Sequence, residues 1–194
     1  MFTSLFNCIE NIVSLSPLEK DRISEKLKVR RLSKGEHLVV ENQLCNELIF
    51  ISNGFFRIYI QHMDGSEITI HLESTGRFIT AFHSFISQTP SQEYLMAVTD
   101  ADIITINHSD LQELYKWSHN LEKLGRIMVE KYFVEKEKRV ISFIKEPGEL
   151  RYKYLLENRP DLLLHIPLQY IASYLGMKPE TLSRIRAKTV SSKG

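Results

Sequence analysis

The residues best suited to a chemical function lie near the C-terminus, on one face of a predicted helix that begins at Pro179. At about 100° per residue, four polar side chains point away from the apolar positions Leu182 and Ile185. These are Glu180, Thr181, Arg184 and Lys188. In such a position an arginine can donate two parallel hydrogen bonds to guanine O6 and N7, and a glutamate can accept one from the cytosine amino group. The pattern therefore predicts a helix that reads base edges in DNA.

Basic residues surround this face. Lys178, Arg186 and Lys188 are suited to phosphate oxygens, which position a protein on DNA without reading its sequence. Residues 165–194 include five basic residues and one acidic residue, whereas the whole chain has a formal net charge of only +1. Taken alone, each of these side chains is better explained as a solvated surface charge. Their agreement along one segment favours a nucleic-acid site.

The preceding segment supplies the element that would hold such a helix. Its apolar residues recur at i, i+3, i+4 and i+7, which is one face of a helix. They are Leu168, Ile171, Ala172 and Leu175. Gly176 follows, where a helix often ends in a left-handed conformation, and Pro179 suits the first turn of the next helix. Two short helices joined by a tight turn predict a helix–turn–helix whose second helix enters the major groove.

Composition limits the kinds of protein and of site to be considered. The chain has 194 residues, 43% hydrophobic and 25% charged, as in an ordinary globular protein. Its two cysteines, Cys8 and Cys45, are too few for a four-thiolate zinc site or iron–sulfur cluster, and the histidines show no ligand spacing. The sequence shows no export signal and no apolar run of about 20 residues. We therefore expect a cytoplasmic protein that has no metal site and no membrane partner. The sequence identifies no cofactor with certainty.

Catalytic motifs give no support for an enzyme. The sequence has no Gly-rich phosphate loop, no His-Glu-x-x-His and no Gly-x-Ser-x-Gly, and it shows no obvious pair of carboxylates. We accordingly predict no catalytic residue and a protein that is not an enzyme.

Over residues 36–106 the apolar period becomes two, which predicts short strands. A hairpin is predicted about Asp64-Gly65, because an alternating apolar run lies on each side of it. The runs are Phe56, Ile58 and Ile60 before the turn and Ile68, Ile70 and Leu72 after it. Residues 94–106 supply one or two further strands. Short strands at this spacing predict an antiparallel barrel or sandwich.

A long helical segment is predicted from Ser109, which begins a capping box with Gln112. No proline occurs again before Pro147, so that one long helix or two joined helices fill the interval. Four apolar residues on it lie three, four or seven positions apart. They are Leu121, Leu124, Met128 and Tyr132. A broad apolar face packs on its own domain and often on a partner, so we predict a dimer helix, with a purely intrachain core helix as the alternative.

These features together resemble the Crp/Fnr family of bacterial transcription regulators, relatives of the catabolite activator protein. Residues 170–186 are the most specific part and resemble the family's recognition unit, with Glu180 and Arg184 at base-reading positions. The family often has an arginine where this chain has Pro179, which puts the usual half-site sequence in doubt. Residues 50–54 and the turn at Asp64-Gly65 are similar to the family's β-roll.

The resemblance implies an α+β fold in three parts. Residues 1–108 would form an N-terminal antiparallel β-roll, a jelly roll like the cyclic nucleotide-binding domain, with N-terminal helices. Residues 109–146 would form the long dimerisation helix, and residues 147–194 the helical helix–turn–helix domain, with a hinge at Pro147-Gly148. Residues 190–194 are too few for the β-hairpin wing of many members, so the wing is expected to be truncated or absent.

The resemblance also implies partners and contact residues. It predicts a homodimer that binds a pseudo-palindrome in double-stranded DNA, with RNA polymerase as a further candidate partner. The predicted DNA contacts are Lys178, Pro179, Glu180, Thr181, Arg184, Arg186 and Lys188.

The ligand site is where the resemblance fails. A cyclic nucleotide pocket of this family uses Gly-Glu for the ribose and an Arg followed by Ser or Thr for the phosphate. Here Gly76 is followed by Arg77, and Ser91-Gln92 stands where the arginine pair is expected. A phosphate buried without a cation is costly, so the sequence argues against cAMP and leaves the effector unknown. These four residues are the weak candidates for a ligand pocket.

Two readings of function follow. The preferred one is a sequence-specific DNA-binding regulator, and the alternative is a sensory or protein-interaction module that does not bind DNA. In the alternative the helix–turn–helix serves only as a scaffold.

Overall fold

The computed structural model describes residues 2–191, with side chains described as far as Lys188. The helices are α1 (Thr3–Glu10), α2 (Pro17–Lys26), α3 (Phe82–Ser87), α4 (His108–Trp117), α5 (His119–Lys145), α6 (Gly148–Asn158), α7 (Pro160–His165), α8 (Leu168–Tyr174) and α9 (Pro179–Ser191). The strands are β1 (Lys28–Leu32), β2 (His37–Val39), β3 (Glu47–Asn53), β4 (Phe55–Gln61), β5 (Glu67–Ser74), β6 (Phe78–Ile79), β7 (Tyr94–Ala97) and β8 (Ala101–Asn107). None of the helices described is both long and apolar enough to span a bilayer.

The eight strands form two antiparallel four-stranded sheets that enclose one core. The strand orders are β1-β8-β3-β6 and β2-β7-β4-β5. The core between them includes Ile51, Phe56, Leu95 and Ile103, all fully buried. The hairpin predicted about Asp64-Gly65 is confirmed, because β4 pairs antiparallel with β5 across this turn. The antiparallel roll expected from the sequence is therefore present.

The alternation expected for β4 and β5 is correct in period but wrong in what it implied for Arg57 and Leu72. Arg57 alternates along β4 with the core residues Phe56 and Ile58, yet it is itself only 1% exposed. A register shift after the Ile58–His71 pair makes Thr69 the next partner, so that Ile70 is an extra residue. Leu72 then packs with the C-terminal helices, whereas Ile70 packs with the core of the roll. The sheet of β2, β7, β4 and β5 is thus covered on both faces, by the core of the roll and by the C-terminal helices.

The N-terminal helices and the start of the long helical segment form a second core against the outer side of the roll. Leu5 and Ile23 pack there with Phe50 and Leu114. The predicted capping box at Ser109 is wrong by two residues, because the side chain of Asn107 caps α4 and accepts from the Asp110 backbone N–H. The segment is two joined helices, one of the two forms expected.

The C-terminal helices α6 to α9 form a third core. It joins Tyr152, Leu162 and Leu182 of these helices to Leu72 of β5 and Val98 of the roll. The helix–turn–helix is therefore packed on the β-roll of its own chain. Residues 192–194, on which the expected absence of a wing depends, lie outside the described residues.

Candidate nucleic-acid interface and sensor cavity

The turn between α8 and α9 has the conformation that Gly176 was expected to supply. Gly176 has φ +68°, its N–H donates to the Ser173 carbonyl, and the Met177 N–H donates to the Ala172 carbonyl. These two bonds are a Schellman motif, which ends α8 and turns the chain into the next helix. A β-carbon at Gly176 would collide with the ring of Phe143 on α5. The turn is therefore fitted closely against the long helix.

The predicted reading face on α9 is open to solvent. Leu182 is fully buried and fixes the rotation of the helix, while Ile185 is half-buried. The seven predicted contact residues are exposed, except Thr181, which is half-buried: Lys178, Pro179, Glu180, Thr181, Arg184, Arg186 and Lys188. The Arg184 guanidinium lies 3.5 Å from the Thr181 hydroxyl oxygen, to which it donates. The structure therefore brings the predicted residues together on one exposed surface, which we call the α9 face.

Two arginines outside the motif hold the C-terminal end of α8. Arg139 of α5 donates to the Tyr174 carbonyl at 2.7 Å and lies over the Tyr174 ring. Arg151 of α6 donates to the Leu175 carbonyl at 2.9 Å. These carbonyls have no partner within the helix, and the two cations also face its negative end. Neither residue could be identified from the sequence, because such caps come from distant segments of the chain.

The other side of α8 closes the open edge of β5. The Ser173 hydroxyl accepts from the Thr69 backbone N–H at 2.8 Å and donates to the Glu67 carbonyl. Beside it, the Arg57 guanidinium lies 3.9 Å from the centroid of the Tyr170 ring. An edge strand otherwise presents unpaired backbone groups, so Ser173 both protects the sheet and fixes the position of the motif.

A buried ion pair joins β5 of the roll to the segment between α6 and α7. Glu73 of β5 is 5% exposed, and its carboxylate lies 3.0 Å from Arg159, between α6 and α7. Arg159 also donates to the Ser74 hydroxyl, which donates to Asp161. Burial by itself would raise the pKa of the Glu73 carboxyl, but His71, Arg159 and Arg77 outweigh it, and the pKa falls below its usual value. Glu73 is therefore ionised and paired.

The four residues predicted on the dimer helix face their own chain. Leu121 and Leu124 are buried in the core beneath α1, Met128 packs on that core, and Tyr132 stacks on Phe82 at 4.3 Å. Four of the seven exposed large apolar residues described on α5 lie together on an adjoining face. Spaced by four, seven and four positions, they are Val129, Phe133, Val140 and Ile144. We call this second face the α5 seam.

A cavity of about 420 Å³ lies between the roll and helices α1, α4 and α5. Most of its lining is apolar, and its charged groups include Glu73, Arg77, Lys131 and Glu135. Burial raises the pKa of the Cys8 thiol in its wall, against the opposing charges of Arg77 and Lys131. The thiol is thus a neutral part of the lining.

The weak candidates for a ligand pocket separate into two pairs. Gly76 and Arg77 line this cavity, but Ser91 and Gln92 do not. Ser91 is buried, and its hydroxyl donates to the Glu93 carbonyl and accepts from the Glu93 N–H. The hydroxyl is therefore engaged within its own loop. Among the described residues no group of three or more His, Cys, Asp or Glu side chains is placed to hold a metal ion.

Comparison with known proteins supports this architecture. The sequence profile of the cyclic nucleotide-binding domain family matches residues 29–117, which run from β1 through α4. A comparison with curated protein sequences gives no match. Residues 29–117 are thus similar to the cyclic nucleotide-binding domain family.

Solved structures extend the likeness to the C-terminal helices. FixK2 from Bradyrhizobium japonicum superposes with a TM-score of 0.76 at 18% identity, over 86% of this chain and 86% of that one. The catabolite activator protein of Thermus thermophilus gives 0.58 at 19% identity, over 93% and 86%. A protein from Eubacterium rectale assigned to the Crp/Fnr family gives 0.68 at 21% identity, over 91% and 85%. The chain therefore has the Crp/Fnr fold that the sequence predicted.

Proposed function

We propose that this chain is a dimeric, sequence-specific DNA-binding transcription regulator of the Crp/Fnr type that acts in the cytoplasm. The observation that carries the proposal is the α9 face, where exposed Glu180 and Arg184 stand beside Lys178 and Lys188. Leu182 anchors that helix from below. A buried anchor with exposed polar groups above it is the arrangement that a recognition helix needs in the major groove.

The proposed dimer places the α5 seam of one chain against that of a second copy. Phe133 and Ile144 are 63% and 78% exposed, which is unusual for large apolar side chains on one helix face. Residues 129 and 140, and likewise residues 133 and 144, are eleven positions apart, a repeat that keeps the four side chains on one helix face. Two recognition helices related by a two-fold axis would read half-sites about one helical turn, roughly 34 Å, apart.

Three further elements belong to this proposal. The boundaries at residues 108 and 146 divide a sensor domain, a dimerisation helix and a DNA-binding domain. RNA polymerase would be the partner if the regulator activates transcription. The cavity beside α5 would be the place where a signal acts.

The direct test is selection of bound duplexes from a random pool, followed by titration of the selected site and of a scrambled one. Arg184→Ala should reduce discrimination by about 1–3 kcal/mol per half-site, because the bidentate contact to guanine is lost. Lys153→Ala is the matched control, since Lys153 is a solvent-exposed cation on α6, outside the α9 face.

Two outcomes would overturn the assignment. If no duplex is enriched and binding to all DNA is weak, the chain is the sensory or interaction module, and α8 and α9 only complete its fold. If a palindrome is enriched but Arg184→Ala leaves its affinity unchanged, DNA binding stands and the assignment of Arg184 is wrong.

A further inference from the structure

We infer that the cavity between the roll and α5 binds an amphiphilic carboxylic acid, that is, an apolar chain or ring system with one carboxylate. The inference concerns the sensory half of the proposed regulator. It is tested without DNA, so that its failure leaves the proposed DNA binding untouched. Its basis is the lining of the cavity, which combines an extensive apolar wall with the half-exposed Arg77.

The apolar part of the site is extensive. Six of its lining residues are Ile12, Phe78, Phe82, Phe85, Ile86 and Met128, contributed by the loop after α1, by β6, by α3 and by α5. The cavity volume of about 420 Å³ falls within the range of roughly 300–1,000 Å³ that small-molecule sites occupy. Such a wall favours a hydrocarbon or aromatic body.

The charged part of the site favours an anion. Glu73 already has Arg159 at 3.0 Å, whereas Arg77 reaches it only at 3.7 Å and is about half exposed. Arg159 is shared with Asp161 at 3.3 Å, so Glu73 keeps both arginines near it, and Arg77, which makes the longer contact, is the cation that can turn toward a ligand. Lys131 adds a second cation and Glu135 one anion to the lining. The charged lining thus comprises two cations, Arg77 and Lys131, and two anions, Glu73 and Glu135, and the inference of a carboxylate ligand rests on Arg77, whose contact with Glu73 is long and half exposed.

A cyclic nucleotide fits this site poorly. Ser91 and Gln92, at the positions where the resemblance places phosphate contacts, do not line the cavity. A carboxylate on Arg77 with its apolar body against Phe82 and Met128 satisfies both parts of the lining. Arginine is suited to a carboxylate because its planar fork can donate two parallel hydrogen bonds.

Binding of decanoate to the full chain, measured by isothermal titration calorimetry below the concentration at which decanoate forms micelles, tests the inference. We expect decanoate to bind at least tenfold more tightly than decanol, which has the same chain without the charge. Arg77→Gln should reduce decanoate binding to the level of decanol. Arg126→Gln is the charge control, since this exposed arginine of α5 pairs with Glu130.

A second pair of variants tests the location without depending on charge. Ile86 lines the cavity and is 52% exposed, so Ile86→Trp should fill the entrance with little effect on folding and weaken both ligands at least fivefold. Leu18→Trp, at a 61% exposed position on α2, should change neither. Equal affinities for decanoate and decanol, or decanoate binding that survives both Arg77→Gln and Ile86→Trp, would overturn the inference.

Discussion

The guanidinium of Arg159 lies 3.0 Å from the carboxylate of Glu73, and this ion pair joins the wall of the cavity to the helices that carry the α9 face. Glu73 lines the cavity from β5, and Arg159 stands between α6 and α7. The side chain of Arg159 is 19% exposed and that of Glu73 is 7% exposed. Neither charge is well solvated, so each depends on the other.

Removal of Arg159 should therefore be costly. Breaking a buried pair by deleting one partner typically costs about 3–5 kcal/mol, and Arg159→Leu should approach the lower figure because His71 and Arg77 stay near Glu73. Urea denaturation measures the loss. The double variant Glu73→Gln/Arg159→Leu should recover part of it, and simple addition of the two single effects would show that the pair is not coupled.

Stability should depend on pH through the same pair. The pKa of Glu73 is lower in the folded chain than its ordinary value of 4.5. Its contribution is therefore complete above about pH 4.5 and is lost as the pH falls through the folded value. Other carboxylates such as Asp161 also have lowered pKa values, so the measure is the difference between the chain and Glu73→Gln. The difference in the free energy of unfolding between the chain and Glu73→Gln should shrink roughly between pH 5 and pH 3. A difference that stays constant with pH would contradict the assignment.

Features set by neighbouring residues could be predicted from the sequence, whereas the contact between the β-roll and the C-terminal helices α6 to α9 could not. The hairpin at Asp64-Gly65 and the left-handed Gly176 each follow from a few consecutive residues. Arg57 lay on a polar strand face by its alternation, yet Tyr170, more than a hundred residues later, covers it. Periodicity reports that a face is polar and says nothing about which distant element will bury it.

The same limit applies to the candidate site. The α9 face was predictable because helical geometry alone places Glu180 and Arg184 opposite Leu182. Residues for the proposed dimer contact are harder to choose, since α5 has two adjoining apolar faces. Leu121 and Leu124 cover the core of their own chain, and only packing distinguishes that face from the α5 seam. Assignment of the cavity requires the three-dimensional contacts of α1, α4 and α5.

The α5 seam gives a prediction about assembly. Phe133→Glu with Val140→Glu should convert the proposed dimer to a monomer, because two carboxylates in each chain would be buried against their copies. Analytical ultracentrifugation measures the mass. Lys138→Glu is the control, since this exposed position lies on another side of the helix. A mass that stays dimeric in the double variant would show that the chain pairs through another surface.

Gly176 gives a prediction about the turn. Gly176→Ala combines a φ of +68° with contact against the Phe143 ring, so it should destabilise the chain by about 1–3 kcal/mol. Gly65→Ala is the control for φ alone, because its φ is +83° with no atom within 4 Å of the added carbon. Denaturation should show a larger loss of the free energy of unfolding in Gly176→Ala than in Gly65→Ala. Equal losses would mean that Phe143 moves aside without a cost in free energy.

The lysines beside the α9 face should affect DNA binding differently from Arg184. Lys178 and Lys188 are exposed and are assigned to phosphates, so Lys178→Ala should weaken binding to all duplexes nearly equally. Each phosphate contact contributes about 0.9 to the slope of log K against log salt, and a dimer loses two contacts per substitution. The slope should therefore fall by about 2 in Lys178→Ala and in Lys188→Ala. Lys153→Ala should leave it unchanged. A slope that stays constant while specificity falls would show that these lysines read bases.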